Sequence, residues 1–386
     1  MPVKRLISVF AAVVIAAAEM CGSSSLAAEA PEISAKAAVL ISADTGEVVY
    51  GYNASEKLPM ASTTKIMTAL LCLESGGLYE EFAVDSQAIK VEGSSMGLCE
   101  GDIVTKYALC CGMLLPSGND AANAAAVRIA GSIEGFVGLM NKRARKMGLS
   151  RTFFVTPSGL EGAGHGSSAA DMALLAREAL KNKLFREICS QESIKVSFGD
   201  PPYDRWLYNT NKLLSMYDGV YGVKTGFTDE AGRCLVSACE RGGKDLICVT
   251  LNDRNDWADH IALYDYGFGE ARELELTLPA DITADIVGGT SDKLKLVPGN
   301  DKFSVTTAAG NADDFTYTVL RPPFLYAPVC SGDKAAELRI SFLGREVDTV
   351  PLYAAGNAEK AAPKAVKAGK GIFKRLKEFL GSFFSR

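Results

Sequence analysis

Pro59-Met60-Ala61-Ser62-Thr63-Thr64-Lys65-Ile66-Met67-Thr68-Ala69-Leu70-Leu71-Cys72-Leu73-Glu74 is the stretch on which the reading of the fold turns. From Thr64 to Glu74 the residues suit a helix, with Ile66, Ala69, Leu70 and Leu73 on one face, and Gly76-Gly77 ends it. Ser62 and Lys65 are three residues apart and so share a face. A serine hydroxyl is a weak nucleophile at neutral pH and needs a base within hydrogen-bond reach. Lysine can be that base only if burial or a nearby positive charge depresses its pKa, which a second lysine facing the same cleft would do. Taken alone, S-x-x-K is a weak signal, equally read as a capping serine and a solvated lysine.

Two further triplets change that weight. Ser117-Gly118-Asn119 lies 55 residues beyond Ser62, and Lys224-Thr225-Gly226 lies 107 beyond that. The three in this order resemble the S-x-x-K, S-D-N and K-T-G set of penicillin-binding proteins and class A β-lactamases. The usual alternative nucleophile activator is scarce, since the chain has two histidines, His165 and His260. His165 sits in a Gly-rich stretch and His260 in an ordinary helical one, so both read as structural or surface residues. A zinc site built on them would need carboxylates at spacings that are not seen, so neither a metal nor a cofactor is expected.

Outward from the triplets, Ala37–Ile41 and Glu47–Tyr52 read as a hairpin around the turn Asp44-Thr45-Gly46. Residues 105–149 read as mostly helical, broken at Pro116–Asn119, and 170–181 as another helix. Gly219–Gly226 leads into Lys-Thr-Gly, and Arg233–Glu240 and Asp245–Leu251 read as two buried strands. Strands flanking a mainly helical body give an α/β (α+β) enzyme domain over 31–269. Short alternating segments over 273–352, from Glu273–Leu278 to Glu346–Leu352, predict a small C-terminal all-β domain. Residues 353–371 read as an Ala/Gly/Lys linker. In 372–386, Ile372, Phe373, Leu376, Phe379, Leu380, Phe383 and Phe384 recur at helical spacing beside Lys374, Arg375 and Lys377, which predicts an amphipathic tail helix.

Net charge is −5, which gives no hint of nucleic acid as a partner; residues 364–386 carry +6, leaving the rest acidic. Lys4 and Arg5, the apolar run Leu6–Ala18 and Ala28-Glu29-Ala30 fit an export signal over 1–30. Of ten cysteines, nine follow that signal. An odd number cannot pair completely in one chain, and buried small hydrophobes fit better than a disulfide framework, although an exported chain leaves some pairing open.

Together these parts resemble the low-molecular-mass penicillin-binding D-alanyl-D-alanine carboxypeptidases. Leu114–Ala122, Thr156-Pro157-Ser158-Gly159-Leu160 and Gly222–Thr228, continuing through Ala231-Gly232, look like that family's motifs with their flanks. The resemblance implies a β-lactamase/transpeptidase-like catalytic domain. It implies that Ser62 attacks the D-Ala–D-Ala carbonyl of a peptidoglycan stem peptide while Lys65 accepts its proton. Ser117 and Asn119 would relay protons or hold the substrate amide. Lys224, Thr225, Gly226 and Phe227 would bind the substrate, with the N–H groups of Ser62 and Phe227 as the oxyanion hole. β-Lactams would acylate Ser62, and the tail would lie on the outer face of the cytoplasmic membrane. Family members often place an arginine after the strand that follows the Lys-Thr-Gly strand, where it helps to hold the substrate carboxylate. Here Asp256 stands near that position, and Arg254 is the candidate, with a surface ion pair as its other reading. Two rival functions stay in view. A class A-like β-lactamase would need a deacylating glutamate, for which Glu161 is the residue at hand, and a non-catalytic cell-wall-binding protein would not need an activated serine.

Overall fold

The computed structural model describes residues 29–362 and Lys377. Nearly all of the predicted export signal, residues 363–371 of the predicted linker and the tail helix apart from Lys377 therefore lie outside the described residues; the first part of that linker is instead paired into β structure, in the strand Arg345–Ala354 and through Ala358 with Val329. The chain divides into two compact units. One runs through Leu276 and also takes Ser304–Asp314; the other comprises Thr277–Phe303 and the residues from Phe315 onward.

The first unit is built on a five-stranded antiparallel sheet. Its strands are β1 (Ala37–Ser42), β2 (Val48–Tyr52), β3 (Val220–Thr228), β4 (Gly232–Arg241) and β5 (Lys244–Leu251), in the spatial order β2-β1-β5-β4-β3. Every residue of β1 is buried. Side chains alternate between the two faces of a strand, so burial throughout β1 means both faces are covered. Ala37, Val39 and Ile41 join one core with Val236, Ala238, Ile247 and Val249. Ala38 and Leu40 point the other way, into a second core with Leu246, Cys248, Leu263 and Tyr264. The cover on that second face is α7 (Asp256–Glu270), once the preceding helices are numbered α1 (Lys65–Glu74), α2 (Lys106–Leu114), α3 (Asn119–Ala130), α4 (Ile133–Lys146), α5 (Ala169–Leu180) and α6 (Lys183–Cys189). The helices α1 to α6 supply the first core.

Helix α1 departs from its one-sided apolar pattern in the sequence. Lys65, Ile66, Met67, Thr68, Ala69, Leu70, Cys72 and Leu73 are all buried, so the helix is sheathed on every side. Each large apolar side chain buried there contributes about 1.5–3 kcal/mol. The break at Pro116–Asn119 separates α2 from α3, and Thr105, Ser132 and Ser168 cap α2, α4 and α5 with their hydroxyls. Several elements, among them the strand pair Glu81–Ala83 and Ile103–Thr105 and the helix Lys183–Cys189, had no counterpart in the sequence reading. Ser193–Gly199 pairs with Pro202–Tyr208 as an antiparallel hairpin. Lys302–Thr307 is a strand whose end belongs with the first unit. There Asp44 accepts the Thr306 N–H at 2.7 Å, and Glu47 accepts the Thr307 hydroxyl at 2.5 Å and the Ala308 N–H at 2.9 Å.

The second unit holds a six-stranded sheet in the order Phe315–Leu320, Lys334–Phe342, Arg345–Ala354, Lys293–Pro298, Ile282–Val287 and Leu325–Tyr326. The alternation of buried and exposed residues along Ile282–Val287 and Lys334–Phe342 matches a sheet with one covered face. The described cysteines are free thiols; Cys99 and Cys330 are exposed and the others buried.

Candidate active site

Ser62 lies in the 3-10 turn Ala61–Thr64 that leads directly into α1. Ala61, just before it, has φ 47°, a left-handed conformation held in place by its neighbours. Those neighbours are close. A Cβ on Gly159 would come within 2.0 Å of the Ala61 carbonyl oxygen, and one on Gly226 would come within 3.0 Å of the Ser62 nitrogen. Only glycine lets Ser158–Leu160 and strand β3 approach the turn from two sides.

The Lys65 side chain is fully buried. Its Nζ is 2.9 Å from Ser62 Oγ, 2.7 Å from Asn119 Oδ1 and 2.7 Å from the Ser158 carbonyl. Burial, then the charge of Lys224, holds its pKa well below the usual lysine range, with Asp120 acting the other way. The Asn119 amide donates from Nδ2 to the Glu92 carbonyl at 2.7 Å, which fixes Oδ1 toward Lys65. A neutral lysine amine has two N–H donors and one lone pair. Asn119 Oδ1 and the Ser158 carbonyl can only accept, so they take the two donors and the lone pair faces Ser62 Oγ–H. That is the arrangement of a general base on its nucleophile.

Lys224, on β3, is also buried, and burial lowers its pKa to about 7. Its Nζ donates to the Thr225 carbonyl at 2.8 Å. Thr225 shares a hydroxyl–hydroxyl hydrogen bond of 2.7 Å with Thr210, just after the hairpin. Ser117 adopts φ 67° and is nearly buried. Ser62, Ser117, Thr225, Gly226 and Phe227 line one cleft of about 500 Å³, together with Ser94, Thr210, Arg233, Asp256 and Trp257. The predicted triplets are thus brought together from a turn, the start of α3 and β3.

Arg254 is a correction. It is exposed, in the loop between β5 and α7, and does not line the cleft. The arginine that does is Arg233, the second residue of β4. The loop turns so that Asp256 rather than Arg254 faces inward, and Asp256 is ion-paired to Arg233 at 2.8 Å. Glu161 is exposed, takes the Glu230 N–H at 3.4 Å, and is likewise outside the cleft lining.

Neither histidine is hydrogen-bonded to the nucleophile, although His165 meets the turn that carries it. His165 accepts the Val155 N–H on Nδ1 at 3.0 Å, so Nε2 donates to Thr64 Oγ1 at 2.9 Å. Burial pushes its pKa down to about 4. His260 is fully buried between Ser237 at 2.7 Å and Thr250 at 3.0 Å. Among the described residues no group of three His, Cys, Asp or Glu side chains is placed to hold a metal ion.

Two contributors carried no role in the sequence reading. Asp120 accepts from Ser95 Oγ at 2.6 Å and from the N–H groups of Met96, Gly97 and Leu98 at 2.9, 3.1 and 3.0 Å. It thereby holds the loop that carries Ser94 against the cleft. Its position beside Asn119, opposite the turn-rich Gly93-Ser94-Ser95, was the available signal. Ser158 acts through its main-chain carbonyl, for which residue type gives no signal.

The sequence pattern of the D-alanyl-D-alanine carboxypeptidase family matches residues 24–255. The chain belongs to that family. It is a serine-type D-Ala-D-Ala carboxypeptidase, a penicillin-binding hydrolase of the cell wall. It is 34% identical to the D-alanyl-D-alanine carboxypeptidase DacF of Bacillus subtilis, over 85% of this chain and 86% of that one. It is 32% identical to DacC of Escherichia coli, a D-alanyl-D-alanine carboxypeptidase, with 92% of each chain covered. Among solved structures, the Streptomyces K15 DD-transpeptidase matches with a TM-score of 0.60 and 32% identity, over 62% of this chain and 99% of that one. The carboxypeptidase DacD of Francisella tularensis matches with a TM-score of 0.61 and 25% identity, over 88% of this chain and 99% of that one.

Proposed function

We propose that the carboxypeptidase runs on Ser62 as nucleophile and Lys65 as general base, acting on peptidoglycan stem peptides that end in D-Ala-D-Ala. The single observation that carries this assignment is the Lys65 Nζ held between Asn119 Oδ1, the Ser158 carbonyl and Ser62 Oγ. Ser62 Oγ attacks the penultimate D-alanine carbonyl as its proton passes to Lys65. The tetrahedral oxyanion sits on the N–H groups of Ser62 and Phe227; one such donor is typically worth about 10²–10³ in rate. Collapse breaks the peptide bond, and the leaving D-alanine amine takes a proton relayed from Lys65 through the Ser117 hydroxyl, while Asn119 holds the lysine. Water then hydrolyses the Ser62 ester, which restores the serine and releases a peptide shorter by one D-alanine. Lys224 and Thr225 hold the substrate's carboxylate end. A β-lactam opens on Ser62 in the same way and leaves a slow-hydrolysing ester. The exposed position of Glu161 favours the carboxypeptidase over a class A-like β-lactamase.

The chain is exported by residues 1–30. Beyond the catalytic part, the strands after Thr277 form a small C-terminal all-β domain. The apolar and basic residues of 372–386 attach the chain to the outer face of the cytoplasmic membrane, the apolar ones at the headgroup boundary and the basic ones facing anionic lipid. Incubating the protein and Ser62→Ala with a peptide ending in Lys-D-Ala-D-Ala tests the chemistry: wild type releases D-alanine and the variant does not. Release by both would remove Ser62 from the mechanism. Deleting 372–386 tests the anchor, which is wrong if vesicle binding is unchanged.

A further inference from the structure

The cleft holds one arginine, and it is not in the position that the family resemblance offered. We infer that Arg233, positioned by Asp256, is the residue that reads the substrate's terminal carboxylate, and that Arg254 takes no part. The inference rests on the carboxypeptidase reading and assigns the specificity of that same site.

Register places the residue. In the β3–β4 pair Phe227 lies opposite Arg233, and Thr225 opposite Leu235. Residues directly opposite each other share a face of the sheet, as do residues two apart on one strand. Thr225, Phe227 and Arg233 therefore stand on one face, with Arg233 diagonal to Thr225. Such diagonal neighbours are roughly 7–8 Å apart, a span that a carboxylate gripped from both sides fills.

The guanidinium is held, yet not used up. Asp256 is buried and takes one Arg233 nitrogen at 2.8 Å, and the Arg233 side chain keeps 43% of its exposure. Its Nε is buried without a hydrogen-bond partner, so the exposed part of the fork is at its terminal nitrogens. The Trp257 ring lies 5.4 Å from the guanidinium carbon, a cation–π distance. The Asp253 N–H also donates to the Arg233 carbonyl at 2.9 Å, which ties the loop carrying Asp256 and Trp257 to the strand that carries the arginine. A planar fork fixed on one side by a carboxylate and facing a cleft on the other is suited to a second, bidentate carboxylate. Lys224 cannot replace it as a permanent cation, because its pKa of about 7 leaves its charge incomplete at neutral pH. Arg233 stays charged throughout.

The test compares two peptides that differ only at the end, one finishing in D-Ala-D-Ala with a free carboxylate and one in the carboxamide. Both are given to the full chain and to Arg233→Gln, Arg233→Lys, Asp256→Asn and Arg254→Gln, with release of D-alanine or its amide measured. Wild type is expected to prefer the free acid. Arg233→Gln should cut kcat/KM for the acid by about 10- to 100-fold, the scale of a lost charge-assisted hydrogen bond, and the amide far less, so that the preference collapses. Arg233→Lys should recover part of it. Asp256→Asn should raise KM for the acid while kcat moves little, and Arg254→Gln should keep the wild-type preference. Equal losses on both peptides would make Arg233 a structural ion pair and overturn the inference, as would a collapse caused by Arg254→Gln. If the wild type released nothing from either peptide, the carboxypeptidase reading would fail. Arg233 is then judged by Ser62 acylation with benzylpenicillin against its methyl ester: loss of the acid's advantage in Arg233→Gln supports the assignment, and its persistence overturns it.

Discussion

Asn119 accepts a hydrogen bond from Lys65 Nζ at 2.7 Å while donating its own amide to the Glu92 carbonyl at 2.7 Å. The second bond decides the first, because a carbonyl acceptor at Glu92 leaves only Oδ1 to face the lysine. Asn119 thus sets which part of the Lys65 amine is left for Ser62.

Replacing Asn119 by Asp should disable that arrangement without removing an acceptor. A carboxylate at this position cannot donate to Glu92 and favours the charged lysine, raising its pKa. Acylation of Ser62 by a labelled penicillin is expected to slow by about 10²–10⁴, the usual contribution of a positioned base. A variant that acylates at the wild-type rate would show that Lys65 is not the proton acceptor.

Lys224 predicts the alkaline side of the pH profile. Its pKa of about 7 means that its positive charge is present below that pH and lost above it. In the free enzyme, kcat/KM for a peptide with a free carboxylate should therefore fall as pH rises through about 7. Lys224→Arg, charged at every working pH, should lower the maximum but move that limb upward. An unshifted limb in the variant would assign it to another group.

How much of this could be read beforehand varies with the kind of signal. β1, β4 and β5 were legible because strands buried on both faces need continuous apolar runs, as Ala37–Ile41 and Asp245–Leu251 provide. The hairpin Ser193–Tyr208 was not, since Tyr203, Trp206 and Tyr208 put large aromatics on exposed positions and blur the alternation. Ser62, Lys65, Asn119 and Lys224 announced themselves by type and order. Arg254 was singled out and Arg233 passed over, because which arginine faces the cleft depends on strand register and on the turn of the loop that follows β5. Neither is a property of local sequence.

Gly226→Ala tests the close approach of β3 to the nucleophile. The new Cβ would stand 3.0 Å from the Ser62 nitrogen and 3.1 Å from that of Thr63, so the turn must shift. Acylation should drop by at least about tenfold, since displacements near 1 Å cost that much or more. Circular dichroism should remain native. Full activity would mean that the turn has slack.

Asp120→Ala should loosen the loop over the cleft. It leaves the N–H groups of Met96 and Leu98 without that acceptor, while Gly97 N–H keeps Ser95 Oγ; the buried Met96 N–H is the costly one, at about 1–3 kcal/mol if left unpaired. A lower Tm and new protease cleavage at 94–98 are expected. Asp120→Asn keeps an acceptor oxygen and should lie between. Protection of that loop equal to wild type in Asp120→Ala would contradict the role.

Asp253 gives a stability test. Burial raises its pKa to about 6, with Asp259 hydrogen-bonded beside it. A carboxyl whose folded pKa is raised contributes stability that is present below about pH 4 and lost as pH climbs through about 6. Asp253→Asn keeps the Oδ1 acceptor for Ser34 and Asn255 and cannot ionise. Its Tm relative to wild type should rise between pH 4 and pH 8. A constant offset would place the effect elsewhere.

The return of Ser304–Asp314 to the first unit has a consequence for biogenesis. Asp44 and Glu47, beside the first strand of the sheet, meet the groups they bind only when a segment some 260 residues later has emerged. A polypeptide synthesised from its N-terminus must hold the sheet's first hairpin open-ended until that segment arrives. A chain stopped at Gly269 contains every reactive side chain yet lacks this closing clasp, so enzyme built to that length should be competent in chemistry and short-lived against proteases.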